Sequence, residues 1–151
     1  MSLEQEIRQS KFRNEKQKSI INIIYTYNWL MERTKNYLDS EGITPQQFNI
    51  LRILRGSSPH PLSTLQIRER MLDKMSDTSR IVDRLIKKGL VKKNICKSDR
   101  RLVDVIITEK GKKLLDKIDG MNDAMDAVFK NLTVSDAKNL NQLLDKLRNS
   151  E

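Results

Sequence analysis

Gly89 stands where a helical pattern of apolar residues gives way to an alternating one, and that switch constrains the fold more than any other feature of the chain. Before it, Ile81, Val82, Leu85 and Ile86 recur at the spacing of one buried helix face, while Arg80, Arg84, Lys87 and Lys88 fall outside that stripe. Asp73 is the expected N-cap, its carboxylate accepting the free amide of Ser76, so the helix is predicted to begin near Asp73 or Lys74. Gly89 suits the left-handed residue that stops a helix. Beyond it, Leu90-Val91 opens a strand. Val103, Val105 and Ile107 then alternate with Leu102, Asp104, Ile106 and Thr108, which predicts a second strand. Lys97-Ser98-Asp99-Arg100-Arg101 is the short hydrophilic turn between them.

Upstream, Ser63-Thr64-Leu65-Gln66 has the form of a capping box and starts another helix. Leu65, Met71 and Leu72 are expected to pack from it against Ile81 and Leu85, and Leu62 is a candidate for a short third strand. Two short helices followed by a basic hairpin make a winged helix-turn-helix, whose natural partner is duplex DNA. The charge agrees. Net charge is +9, and Leu62 to Lys112 holds fourteen Lys or Arg against seven Asp or Glu, a balance of +7. The remainder carries fifteen against thirteen, a balance of +2. The positive field therefore sits on this unit, as binding to a polyanion requires.

Ser79-Arg80-Ile81-Val82-Asp83-Arg84-Leu85, Lys87-Lys88-Gly89-Leu90-Val91, Asp99-Arg100-Arg101 and Ile107-Thr108-Glu109-Lys110-Gly111 occur in this order. With Gly42-Ile43-Thr44-Pro45-Gln46-Gln47-Phe48 upstream, they resemble the multiple antibiotic resistance regulator (MarR) family of bacterial transcription factors. The resemblance covers roughly residues 40 to 115 by motif and the flanks by helical character. It implies a homodimer whose terminal helices interleave. It also implies an arginine of the wing, here Arg101, in the minor groove, and a ligand site where the first, second and fifth helices meet the winged unit.

The flanks read as helices. Residues 4 to about 39 contain no Gly or Pro and predict one long helix, with Ile20, Ile24, Tyr27 and Met31 on one stripe, widened by Ile23 and Leu30. So long a helix is hard to bury within one small domain, so contact with a partner chain is the expected use of its apolar surface. Thr44 and Pro45 suit the start of the next helix, to about Arg55, buried through Phe48, Leu51 and Leu54. Thr108 is the expected cap of a helix from Glu109 to about Asn131. Thr133 to Asp136 resembles a further capping arrangement, ahead of Leu140, Leu143, Leu144 and Leu147.

Other chemistries find little support. There is no glycine-rich phosphate loop, no metal-ligand spacing, and only one histidine, His60, to act as a base. No enzyme, cofactor or metal is expected. Asp83 and Asp104 read as partners for neighbouring basic residues. Cys96, the only cysteine, cannot form an internal disulfide and reads as a strand residue. No apolar run of transmembrane length and no apolar signal core are seen, so the expected location is cytoplasmic, away from the membrane.

The sequence thus predicts a mainly α fold with a small β wing (α+β), a single domain over 1–151. Residues 44–115 form its winged helix-turn-helix, and 1–39 and 116–151 form dimerisation helices. The expected function is a homodimeric, DNA-binding transcriptional repressor on a pseudo-palindromic operator. The candidate DNA contacts are Ser63, Thr64, Ser76, Ser79, Arg80, Arg84, Lys97, Asp99, Arg100 and Arg101. Tyr27, Trp29, Met31 and Phe48 are candidates for lining a site for a small aromatic or anionic effector. Two rivals stay open: an architectural winged-helix protein with little sequence choice, and a protein-interaction module.

Overall fold

The computed structural model describes residues 2–95, 103–121, 123 and 126–149. The chain falls into two compact units, Met1–Lys112 and Lys113–Glu151. Among the described residues the first contains the helices α1 (Leu3–Ile7), α2 (Glu15–Asp39), α3 (Pro45–Ser57), α4 (Thr64–Arg70) and α5 (Thr78–Lys87). It also holds the strands β1 (Leu62–Ser63), β2 (Val91–Ile95) and β3 (Val103–Ile107), and the first turn of α6 (Glu109–Asp119). The second holds the rest of α6, a 3-10 turn at Ala127–Phe129 and α7 (Val134–Arg148).

The sheet is antiparallel in the order β1-β3-β2. Leu62 faces Val105, and Val91 faces Ile107, which puts these four apolar side chains on one face; all four are buried. The helices complete the core. In α3 the buried positions are Gln47, Ile50, Leu51 and Leu54, spaced as a helix stripe. In α5 they are Thr78, Val82 and Leu85. Each fully buried aliphatic side chain is worth about 1.5–3 kcal/mol of transfer free energy.

Three sequence expectations give way here. The single helix over 4–39 is two helices. Arg8 ends α1 in the left-handed region at φ 53°, and Asn14 restarts the chain by accepting the Gln17 amide at 2.9 Å. Gln17 Oε1 in turn accepts the Arg13 amide at 2.6 Å, so side chains break a helix that contains no Gly or Pro. The ion pair Glu4–Lys18 and the bond from Tyr25 Oη to Glu6 Oε2, 3.0 Å, tie α1 to α2.

In α3 Leu51 and Leu54 are buried as expected, but Gln47 and Ile50 complete the buried side and Phe48 is only half-buried. Gln47 tolerates burial because its amide oxygen accepts from the Thr44 amide and from Lys88 Nζ, each at 3.2 Å. In the second unit the helix expected to reach about Asn131 stops at Asp119, before Gly120. A glycine costs about 1 kcal/mol in a helix interior.

Other expectations hold. Thr44 accepts the Gln47 amide and Pro45 opens α3. Gly89 adopts φ +70°; its amide donates to Ile86 O and the Leu90 amide to Leu85 O, the paired bonds of a Schellman stop. Thr133 and Asp136 form a reciprocal cap at the start of α7. Among the described residues, no helix is long and apolar enough to cross a membrane.

Candidate nucleic-acid interface

Where α5 begins decides which side chains it can present. Asp73 does not cap it. The Asp73 carboxylate accepts the Met75 amide at 3.0 Å, and the Ser76 amide goes to the Asp73 backbone carbonyl at 3.3 Å, which makes a turn. The cap is Asp77, whose Oδ1 accepts the Arg80 amide at 3.1 Å. The helix therefore starts four residues later than the sequence suggested, and Ser76 precedes it. Ser76 Oγ is buried without a hydrogen-bond partner, which takes this hydroxyl off the surface a groove would meet.

Ser79, Arg80 and Arg84 lie in α5 and are exposed, Arg80 on the side opposite Val82 and Leu85, with Ser79 and Arg84 flanking it. Lys87 extends this face by one turn. Arg80 Nε lies 3.6 Å from Asp77 Oδ2, with both side chains mostly exposed. Asp83, on the same face, meets Lys93 Nζ of β2 at 2.5 Å, the basic partner expected for it. Lys93 shares a strand face with Val91, and α5 packs on that side, so the helix and the wing strand are joined by this pair.

Lys88 has another occupation. Its ammonium donates to Gly42 O and Gln47 Oε1, and its own carbonyl accepts from Lys110 Nζ at 2.8 Å. It fastens the end of α5 to the turn before α3, a role that a reading of local charge could not reveal.

At the other helix start, Ser63 Oγ accepts the Gln66 amide at 3.2 Å and Gln66 Oε1 accepts the Ser63 amide at 2.9 Å. The capping box is present, and its hydroxyl oxygen is engaged within it. Thr64 is the first residue of α4 and half-buried. The residue that anchors α4 in the core is Ile67, fully buried, beside Met71. Leu65 and Leu72, expected to pack there, are exposed, Leu72 at 88%. Ile67 carries the contact because it falls three residues into the helix, on the side turned toward α5. Lys97, Asp99, Arg100 and Arg101 lie outside the described residues, as does Cys96.

The four candidate effector residues are not brought together on one face. Tyr27 and Met31 are one turn apart on α2, but Trp29 lies about 200° round the helix from Tyr27. The Trp29 ring is covered by the Arg33 guanidinium, 3.8 Å from its centroid. Phe48, on α3, has the Arg52 guanidinium 5.8 Å from its ring.

Two short helices, the second presenting an arginine-bearing face, followed by an antiparallel wing, define a winged helix-turn-helix protein. The model of the MarR family matches residues 43–103. Over 92 residues the chain is 29% identical to the HTH-type transcriptional regulator MhqR of Bacillus subtilis, 61% of this chain and 62% of that protein. It thus spans about three fifths of the length of this relative. A mutant MarR from E. coli complexed with operator DNA has the same fold, with a TM-score of 0.80 at 24% identity, over 91% of this chain and 99% of that one. So does BpsR of Bordetella bronchiseptica, whose DNA binding is regulated by 6-hydroxynicotinic acid, at a TM-score of 0.77 and 18% identity, over 87% and 99%. Over residues 43–103 the chain is therefore similar to the MarR family.

Proposed function

We propose that this protein is a sequence-specific, DNA-binding transcriptional regulator, a homodimeric repressor of a pseudo-palindromic operator. The observation that carries the reading is the exposed face of α5, where Ser79, Arg80, Arg84 and Lys87 stand clear of the core on the second helix of the motif. Such a helix enters the major groove, and two of them in a dimer reach half-sites about 34 Å apart. Residues 44–115 supply the DNA-binding part. Ser63 and Thr64, at the start of α4, face backbone phosphate. Lys97, Arg100 and Arg101 of the wing take the flanking groove, with Asp99 orienting Arg101.

Residues 1–39 and 116–151 supply the dimer contacts. The support is exposed apolar surface in each unit: Ile20, Ile24 and Tyr27 of α2, and Leu143 and Leu147 of α7. Repression follows from occupancy, since a dimer seated across a promoter excludes polymerase. By analogy with BpsR, a small aromatic anion would act as effector, with Tyr27 and Met31 of α2 and Phe48 of α3 as candidate contacts and Trp29 turned away from them.

Selection of bound sequences from random duplexes tests the reading. A two-fold symmetric consensus is expected. A flat preference would favour the architectural winged-helix alternative. Failure to retard any duplex at low salt would refute DNA binding and favour a protein-interaction module. Deleting residues 132–151 should abolish both dimerisation and tight operator binding, and a truncated chain that sediments as a dimer with unchanged affinity would overturn the dimer assignment.

A further inference from the structure

The cap of α5 does two things at once. One oxygen of Asp77 accepts the Arg80 backbone amide at 3.1 Å, and the other lies 3.6 Å from Nε of the same arginine's side chain. A carboxylate held at a helix N-terminus by a backbone amide is fixed in direction. An arginine drawn to it through Nε is turned toward that same N-terminus, and both terminal nitrogens of its fork are left free. Those two nitrogens are the donors that pair with O6 and N7 of guanine. The helix N-terminus is also the end that meets base edges in this motif.

We infer that Asp77 is a positioning residue that holds Arg80 in the conformation reading a guanine in the major groove. The inference rests on the DNA-binding reading above and deepens it by naming the base. Simple electrostatics argues the other way. Asp77 is an exposed acid next to a polyanion, so its loss should tighten binding. The ion pair is exposed as well, 74% at Arg80 and 61% at Asp77, and such pairs add little to folding in water. Its use therefore lies in the complex, where bases displace water from the pair and the direction of the fork decides which base is accepted.

Serine in place of Asp77 keeps an N-cap oxygen for the Arg80 amide and removes the carboxylate that aims the side chain. The readout is the selected consensus of the wild-type dimer, with each guanine in turn replaced by 7-deazaguanine, which lacks the N7 acceptor. Wild type should lose roughly tenfold in affinity at one guanine per half-site. Arg80→Ala should be indifferent to the replacement there. Asp77→Ser should show most of that indifference while keeping its helix content and its low-salt binding to unrelated DNA. Asp77→Asn, with the cap retained and the charge gone, should behave like Asp77→Ser. Variants as sensitive to 7-deazaguanine as wild type, or that bind the consensus more tightly, would overturn the inference. A wild type that binds no duplex would instead refute the DNA-binding reading itself.

Discussion

Thr78 is the side chain whose chemistry least matches its surroundings. It is buried, and its hydroxyl has no hydrogen-bond partner. An unpaired buried hydroxyl costs about 1–3 kcal/mol, and an isosteric apolar group avoids that cost. Thr78→Val is therefore expected to leave stability unchanged or raise it by up to about 1 kcal/mol in urea unfolding. A clear loss would mean that the hydroxyl has a partner after all.

Glu4 tests the other end of the chain. Its pKa is held at about 2 against an ordinary 4.5, first by the Lys18 ammonium and then by hydrogen bonds from its backbone and Ser2. A lowered carboxylate pKa means that the contact is fully present above about 4.5 and lost as pH falls toward 2. Amide chemical shifts in α1 should move over that window in the wild type and stay flat in Glu4→Gln. The same comparison of residues shows what the sequence could reveal. Asp73 and Asp77 both satisfy the rule for a helix cap, and local preference cannot rank them. In the fold the Asp73 carboxylate is taken by the Met75 amide and its carbonyl by the Ser76 amide, which closes a turn there and leaves the cap to Asp77.

At the scale of elements, what was legible depended on how local the cause was. Gly89, Thr44-Pro45, Ser63-Gln66 and Thr133-Asp136 are starts and stops whose partners lie within a few residues, and each is where the sequence placed it. The sheet was legible from alternation of Val and Ile. The break between α1 and α2 was not, because Asn14 and Gln17 act as breakers only when their side chains turn back on the backbone. The burial of Gln47 was not either, since its partner Lys88 is 41 residues away.

The junction of α6 with the wing offers a sharper check. A methyl group at Gly111 would lie 2.4 Å from Leu90 O and 2.8 Å from Ile107 Cγ1, where backbone and a packed strand residue cannot yield cheaply. Gly111→Ala is thus expected to destabilise by about 1–3 kcal/mol despite alanine's better helix propensity. A midpoint equal to that of the wild type in denaturant would show that the helix start can shift aside.

For the molecule as a whole, Ile20, Ile24 and Tyr27 along α2, and Leu143 and Leu147 along α7, remain open to water in the single chain, 65% in the case of Leu143. Covering such surface is what the proposed dimer would do, at about 25 cal/mol for each Å² removed from water. This has a consequence for any measured melting temperature. If the second copy is the cover, unfolding releases two chains from one particle, and mass action ties the transition to the amount of protein in the tube. The midpoint should climb as the solution is concentrated, by a few degrees over a hundredfold range, and Leu143→Asp should flatten that dependence. Thermal stability would then belong to a population of chains and vary with how crowded that population is.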